Sequence, residues 1–123
     1  MSDTKAVQNK SEEFAVRVVK LYQHMCDTYH SYELFRQILR CGTSVGANIA
    51  EAEYAISKKD FLSKMYIALK ECAETVYWLD LLYKTDYLSK KQFESLREDC
   101  LELRKLLASI TKTTSESFMG MKE

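Results

Sequence analysis

From Phe14 onward, apolar residues return every three or four positions. Phe14, Val18, Leu21, Tyr22, Met25 and Tyr29 form one stripe, which predicts a first helix from about Ser11 to Tyr29. Ser11 stands where an N-cap is expected, and Glu12 and Glu13 suit the positive end of the helix dipole. After a short break around His30 to Tyr32, a second stripe runs through Phe35, Ile38, Leu39, Gly42, Val45, Gly46 and Ile49. Gly42 and Gly46 lie four apart on that stripe. Each costs about 1 kcal/mol of helix propensity against alanine, so their expected use is close packing of another helix backbone.

The third helix has the clearest start. Ser57 is its N-cap, Asp60 holds the capping-box position, and Ile56 and Phe61 are placed as a hydrophobic staple. It continues through Met65, Ala68, Leu69, Cys72, Val76, Leu79 and Tyr83, roughly 25 residues or nearly 40 Å at 1.5 Å per residue. The connector Thr85 to Leu88 leads to a second capping box of the same design, with Ser89 as cap, Gln92 reaching back and Leu88 stapled to Phe93. The fourth helix carries Phe93, Leu96, Cys100, Leu103, Leu107 and Ile110 against a wet side of Lys90, Lys91, Glu94, Arg97, Glu98 and Arg104. Past Ile110 the periodicity fails, and KTTSESFMGMKE reads as a tail. Four amphipathic helices on short connectors predict an all-α, antiparallel up-down-up-down four-helix bundle. It occupies residues 1–111 as a single domain, with a flexible C-terminal tail over residues 112–123.

Composition agrees. The chain of 123 residues has no proline and three glycines, which favours helices throughout. A chain of this size buries roughly two thirds of its unfolded surface without metals or disulfides. Eighteen basic and eighteen acidic residues cancel, so the summed field gives no general pull toward nucleic acid or anionic lipid. No apolar leader stands at the start and no run is long enough to span a membrane, so a cytoplasmic protein without a membrane partner is expected. Cys26, Cys41, Cys72 and Cys100 fall one per predicted helix, without CxxC or metal-ligand spacing, and read as small buried thiols. Neither His24 nor His30 follows a glutamate by three residues, so the Glu-x-x-His pair of di-iron bundles is missing. No phosphate-binding glycine loop, HExxH or nucleophile elbow occurs either. No enzyme, cofactor, metal or catalytic residue is expected.

Two faces exceed what a bundle needs. On the third helix Ile67, Trp78 and Leu81 point away from the core stripe, with Leu62, Tyr66 and Tyr77 on its flank. Such a patch marks either an oligomer interface or a broad core contact. Glu71 and Glu74 lie on the same side and read as salt-bridging carboxylates rather than an acid/base pair. Opposite its apolar stripe, the second helix carries Arg36, Arg40, Thr43, Ser44, Asn48 and Glu51. Arg36 and Arg40 are expected to pair with Glu71 or Glu74, within the bundle or across an interface. The competing readings are phosphate binding by the same arginines and a plain solvated face. Lys58, Lys59 and Lys64 cluster at the start of the third helix, and Lys90 and Lys91 at the opposite end of the bundle.

The run GTSVGANIAEAEYAISKKDFLSKMYIALKECAETVYWLDLLYKTDYLS resembles the bacterial four-helix-bundle family named after proteins encoded in intervening sequences of 23S ribosomal RNA genes, also labelled S23 ribosomal proteins. The family signature falls on Ser44, Asn48, Ile49, Ala50, Glu51, Ser57, Asp60 and Phe61, while Ala52 stands where many members have glycine. The resemblance implies a left-turning bundle assembled as a ring-shaped homopentamer. It also implies kinship with the accessory protein of diversity-generating retroelements, which looks like a basic pentameric ring binding nucleic acid and a reverse transcriptase. The family's own role is not established. Two functions follow: an oligomeric scaffold or adaptor that binds another protein, or an RNA-binding ring repeating Arg36, Arg40, Lys58, Lys59 and Lys64. A charged residue in place of Trp78 tests the interface, which predicts loss of the oligomer with helical content retained.

Overall fold

The computed structural model describes the backbone of residues 2–122 and the side chains of residues 4–117. Four α-helices follow in order: α1 Ser2–Tyr29, α2 Tyr32–Ala52, α3 Lys58–Lys84 and α4 Lys90–Lys122. Each packs on its neighbours in the chain, and α1 closes the square against α4. No strand occurs among the described residues. This is the all-α four-helix bundle that short connectors impose.

The core is a continuous apolar column. Phe14, Val18 and Met25 meet Phe35, Ile38, Val45 and Ile49, and these meet Met65, Ala68, Leu79, Leu82, Leu96, Leu103 and Leu107. Between α1 and α2 the backbones come close. A Cβ at Gly42 would stand 2.9 Å from both γ-methyls of Val18, a β-branched side chain with little freedom to move aside. A Cβ at Gly46 would stand 3.4 Å from the Ser11 carbonyl oxygen.

Ser11 is therefore not an N-cap. It lies inside α1, buried, with its hydroxyl donating to the Gln8 carbonyl at 2.9 Å. The core stripe runs back through it to Val7, which is fully buried. A small residue is what the close approach of Gly46 requires there. At the other end α4 continues past Ile110 to Lys122, with Thr111 buried and its hydroxyl donating to the Ala108 carbonyl at 3.0 Å. Thr111 continues the buried side of the helix where the large apolar residues stop, and Thr114 and Ser115 beyond it are half-buried. The side chains of residues 118–123, the last part of the expected tail, lie outside the described ones.

Both capping serines act as expected. Ser57 Oγ accepts from the Asp60 amide at 3.0 Å, and Ser89 Oγ from the Gln92 amide at 3.1 Å. The first staple, however, does not form, because Ile56 is 94% exposed and cannot cover Phe61. Three of the four cysteines are buried, Cys26 is half-buried, and all are free thiols.

The bundle has two unlike poles. At one, His30 and Asp86 turn the chain with positive φ angles of 59° and 69°, and Tyr29, Phe35 and Tyr87 pack edge to face. At the other lie the start of α1, the α2–α3 connector and the end of α4, where Lys58 Nζ donates to Ser117 Oγ at 2.7 Å. Ion pairs tie the outer seams: Lys10 to Glu102 at 2.7 Å, Arg17 to Asp99, and Arg97 to Asp80 at 3.1 Å. All are partly solvated, so they add little to stability and are weakened by salt.

Candidate interaction surface

Two members of the α2 polar stripe, Arg40 and Glu51, pair with α3. Arg40 reaches across the seam, with Nη1 3.4 Å from Glu71 Oε2 and Nη2 bonded to Glu74 Oε2. The Trp78 indole N–H donates to the same Glu74 oxygen at 3.1 Å. Arg40 thus holds the Glu74 carboxyl below the usual carboxylate range, the indole acting in the same sense, and the guanidinium's own pKa is raised by Glu74. With a folded pKa lowered below the unfolded one, the pair stabilises above the ordinary carboxylate pKa. That support is lost as pH falls through the lowered value. About three turns further along the seam, Lys64 Nζ pairs with Glu51 at 3.0 Å. Ser44 and Asn48 satisfy each other, the Asn48 amide donating to the Ser44 carbonyl at 2.9 Å and its hydroxyl at 3.0 Å.

Of the expected cations, Arg40 and Lys64 are therefore seam residues. Arg36 bonds no α3 carboxylate; it sits 3.6 Å from Glu33 on its own first turn. Lys58 contacts Ser117, and Lys59 is exposed beside it. Arg36 and the start of α3 lie at opposite ends of α2, about 24 Å apart along the axis. The five do not gather into one basic patch.

The apolar patch of α3 is real but turned. Its buried arc is Met65, Ala68, Cys72, Thr75, Leu79 and Leu82. This is rotated by roughly 40° from the stripe expected through Val76 and Tyr83, counting 100° per residue. Ile67 and Trp78 therefore lean toward α2, and Trp78 is half-buried against the core. Leu81 is half-buried as well. The middle of the outer face is taken by Tyr66 and Tyr77, 47% and 59% exposed. Eleven residues apart, they share one side about 16 Å apart along the axis. Lys70 and Ala73, both exposed, stand between them. Periodicity had placed the two tyrosines on a flank. The signal that finds them is the hydroxyl of Thr75, which donates to the Glu71 carbonyl at 2.8 Å and so fits the core.

On the neighbouring side, a groove of about 860 Å³ between α3 and α4 is lined by Tyr83, Phe93 and Leu101 among charged residues. Tyr83 and Phe93 stack with centroids 4.3 Å apart. No cluster of three His, Cys, Asp or Glu side chains able to hold a metal occurs among the described residues. None of the described helices is long and apolar enough to cross a membrane.

A family model described as 23S rRNA-intervening sequence protein matches residues 3–109. The chain belongs to that family. A similar solved structure is the crystal structure of a protein with unknown function from the S23 ribosomal protein family of Bacteroides thetaiotaomicron VPI-5482. The two chains are 50% identical, the alignment covers 89% of this chain and 98% of that one, and the TM-score is 0.87. No protein of curated function matches. The stretch matched to the 23S rRNA-intervening sequence family includes the Arg40–Glu74–Trp78 cluster and the tyrosine face, and ends just short of buried Thr111.

Proposed function

We propose that this chain is a non-enzymatic, cytoplasmic scaffold or adaptor that assembles with itself, as a ring-shaped homopentamer, through the outer face of α3. One observation carries the reading: two exposed tyrosines share the outward side of a helix otherwise packed into the bundle. Aromatic residues of this kind are enriched in interface cores, and their low rotamer entropy suits them to it. Ion pairing of Arg40 and Lys64 inside the bundle leaves fewer cations for a nucleic-acid surface, which supports a protein partner over RNA.

Light scattering on an eluting column tests the assembly. The expected mass is a multiple of the 14.3 kDa chain, and five is the multiple proposed. Tyr66→Glu with Tyr77→Glu should reduce it to one chain with helical content unchanged. A single-chain mass for the unaltered protein at micromolar concentration overturns the reading. The structure makes Trp78 a poorer test than these tyrosines, since it packs on the core and bonds Glu74.

A second reading, an RNA-binding ring, is favoured by the adjacent exposed Lys58 and Lys59 at the start of α3, which symmetry would repeat. It requires binding to structured RNA that weakens as salt rises. No binding at low salt removes it.

A further inference from the structure

In the middle of the α3–α4 seam two thiols face each other. Cys72 Sγ and Cys100 Sγ are 3.5 Å apart, and neither residue has any exposed surface. Each sulfur also lies against the other's backbone, 3.1 Å from the Cys100 carbonyl oxygen and 3.4 Å from that of Cys72. We propose that Cys72 and Cys100 form an oxidisable dithiol whose disulfide ties α3 to α4 at the centre of the bundle. This inference is independent of the assembly proposed above.

A disulfide requires the sulfurs to close by about 1.5 Å, to a bond of about 2.05 Å. Cysteine is unbranched at Cβ, so rotation about χ1 supplies much of that movement. The other thiols have different surroundings. Cys41 Sγ lies 3.8 Å from the Ile38 carbonyl of its own helix, and burial pushes its thiol up to about 11. Cys26 is half-buried on α1. Within the pair, a hydrogen bond from Cys100 holds the Cys72 thiol below its usual value, and the same bond with burial pushes Cys100 up. The contacts of the two sulfurs are nearly symmetric, so either can attack first, and the chemistry written for Cys72 holds with the pair exchanged.

A small oxidant, hydrogen peroxide, suits so enclosed a site. The Cys72 thiolate, its proton given to solvent, attacks one peroxide oxygen. The O–O bond breaks, leaving a sulfenic acid and hydroxide. That hydroxide takes the Cys100 proton. The Cys100 sulfur then attacks the Cys72 sulfur, the S–O bond breaks, and the departing hydroxide takes up the first proton. Two thiols and one peroxide become one disulfide and two waters.

The full chain is treated with hydrogen peroxide in two arms, one in native buffer and one in urea near the unfolding midpoint followed by refolding. Tryptic peptides are then mapped without reduction. The expected product joins the peptide over residues 71–84 to that over 98–104, lighter than their sum by two hydrogens. The thermal midpoint rises on the order of 10 °C and falls back with dithiothreitol. Cys72→Ala and Cys100→Ala each abolish the product, and Cys41→Ala keeps it. The refolding arm exposes every thiol to the oxidant. Absence of the 71–84/98–104 product there, or joining of Cys26 or Cys41 as often as the pair, overturns the proposal.

Discussion

The two connectors that precede capped helices are written almost alike and fold differently. Ile56-Ser57 before α3 and Leu88-Ser89 before α4 both lead into a serine cap, with Asp60 or Gln92 three residues on and Phe61 or Phe93 one further. Yet Leu88 is 4% exposed and Ile56 is 94% exposed. The cause lies upstream. After α3 the amide of Asp86 bonds the Tyr83 carbonyl at 3.1 Å and that of Tyr87 bonds the Leu82 carbonyl at 2.9 Å, with Asp86 left-handed. This Schellman turn folds the chain back over the helix end and returns Leu88 to the core. After α2, Glu53 remains right-handed and the next amides bond three residues back, Tyr54 to Glu51 and Ala55 to Ala52. The chain leaves outward, taking Tyr54 and Ile56 with it.

Side-chain length makes the second difference. Gln92 Oε1 reaches the Ser89 amide at 3.0 Å and closes a full capping box. Asp60, one methylene shorter, instead accepts from the Ile56 amide at 3.2 Å. A cap is thus a local device, whereas a staple depends on how the preceding helix ends.

Substitutions separate these effects. The largest expected loss is from Leu88→Ala, about 2 to 4 kcal/mol in urea unfolding, against no more than about 0.5 kcal/mol for Ile56→Ala. Equal losses would show that the two apolar residues do the same job. Ser57→Ala and Ser89→Ala should each cost about 1 kcal/mol, alike despite their unlike neighbours. Asp86→Gly should gain about 0.5 to 1 kcal/mol by relieving a left-handed non-glycine residue. Glycine at Tyr54 has no such strain to relieve and should only lose, so a gain there breaks the contrast. The smallest effect is Asp60→Glu, a few tenths of a kcal/mol at most. Its check is an amide shift at Ser57 in place of Ile56.

The bundle was legible because core spacing, small-residue positions and serine caps act over a few neighbouring residues. Arg40 with Glu71 and Glu74 was legible for the same reason, since two carboxylates three apart share a helix side. What escaped depends on distant partners. Ser11 looks like a cap until Gly46 is placed against it, and Thr111 looks like a tail residue until it is found buried. Tyr66 and Tyr77 looked like flank residues because Thr75 did not announce itself as core. Arg36 does carry a local mark, Glu33 three residues before it, and it stays with that carboxylate in place of crossing the seam.

The unlike poles also settle how the molecule can be handled. The start of α1 and the end of α4 leave from the end that carries the outward Tyr54 and Ile56. A fluorescent protein or purification handle fused at either terminus crowds that pole alone, leaving the His30 and Asp86 turns clear. A surface tether or label meant to leave the α2–α3 connector accessible belongs at those turns.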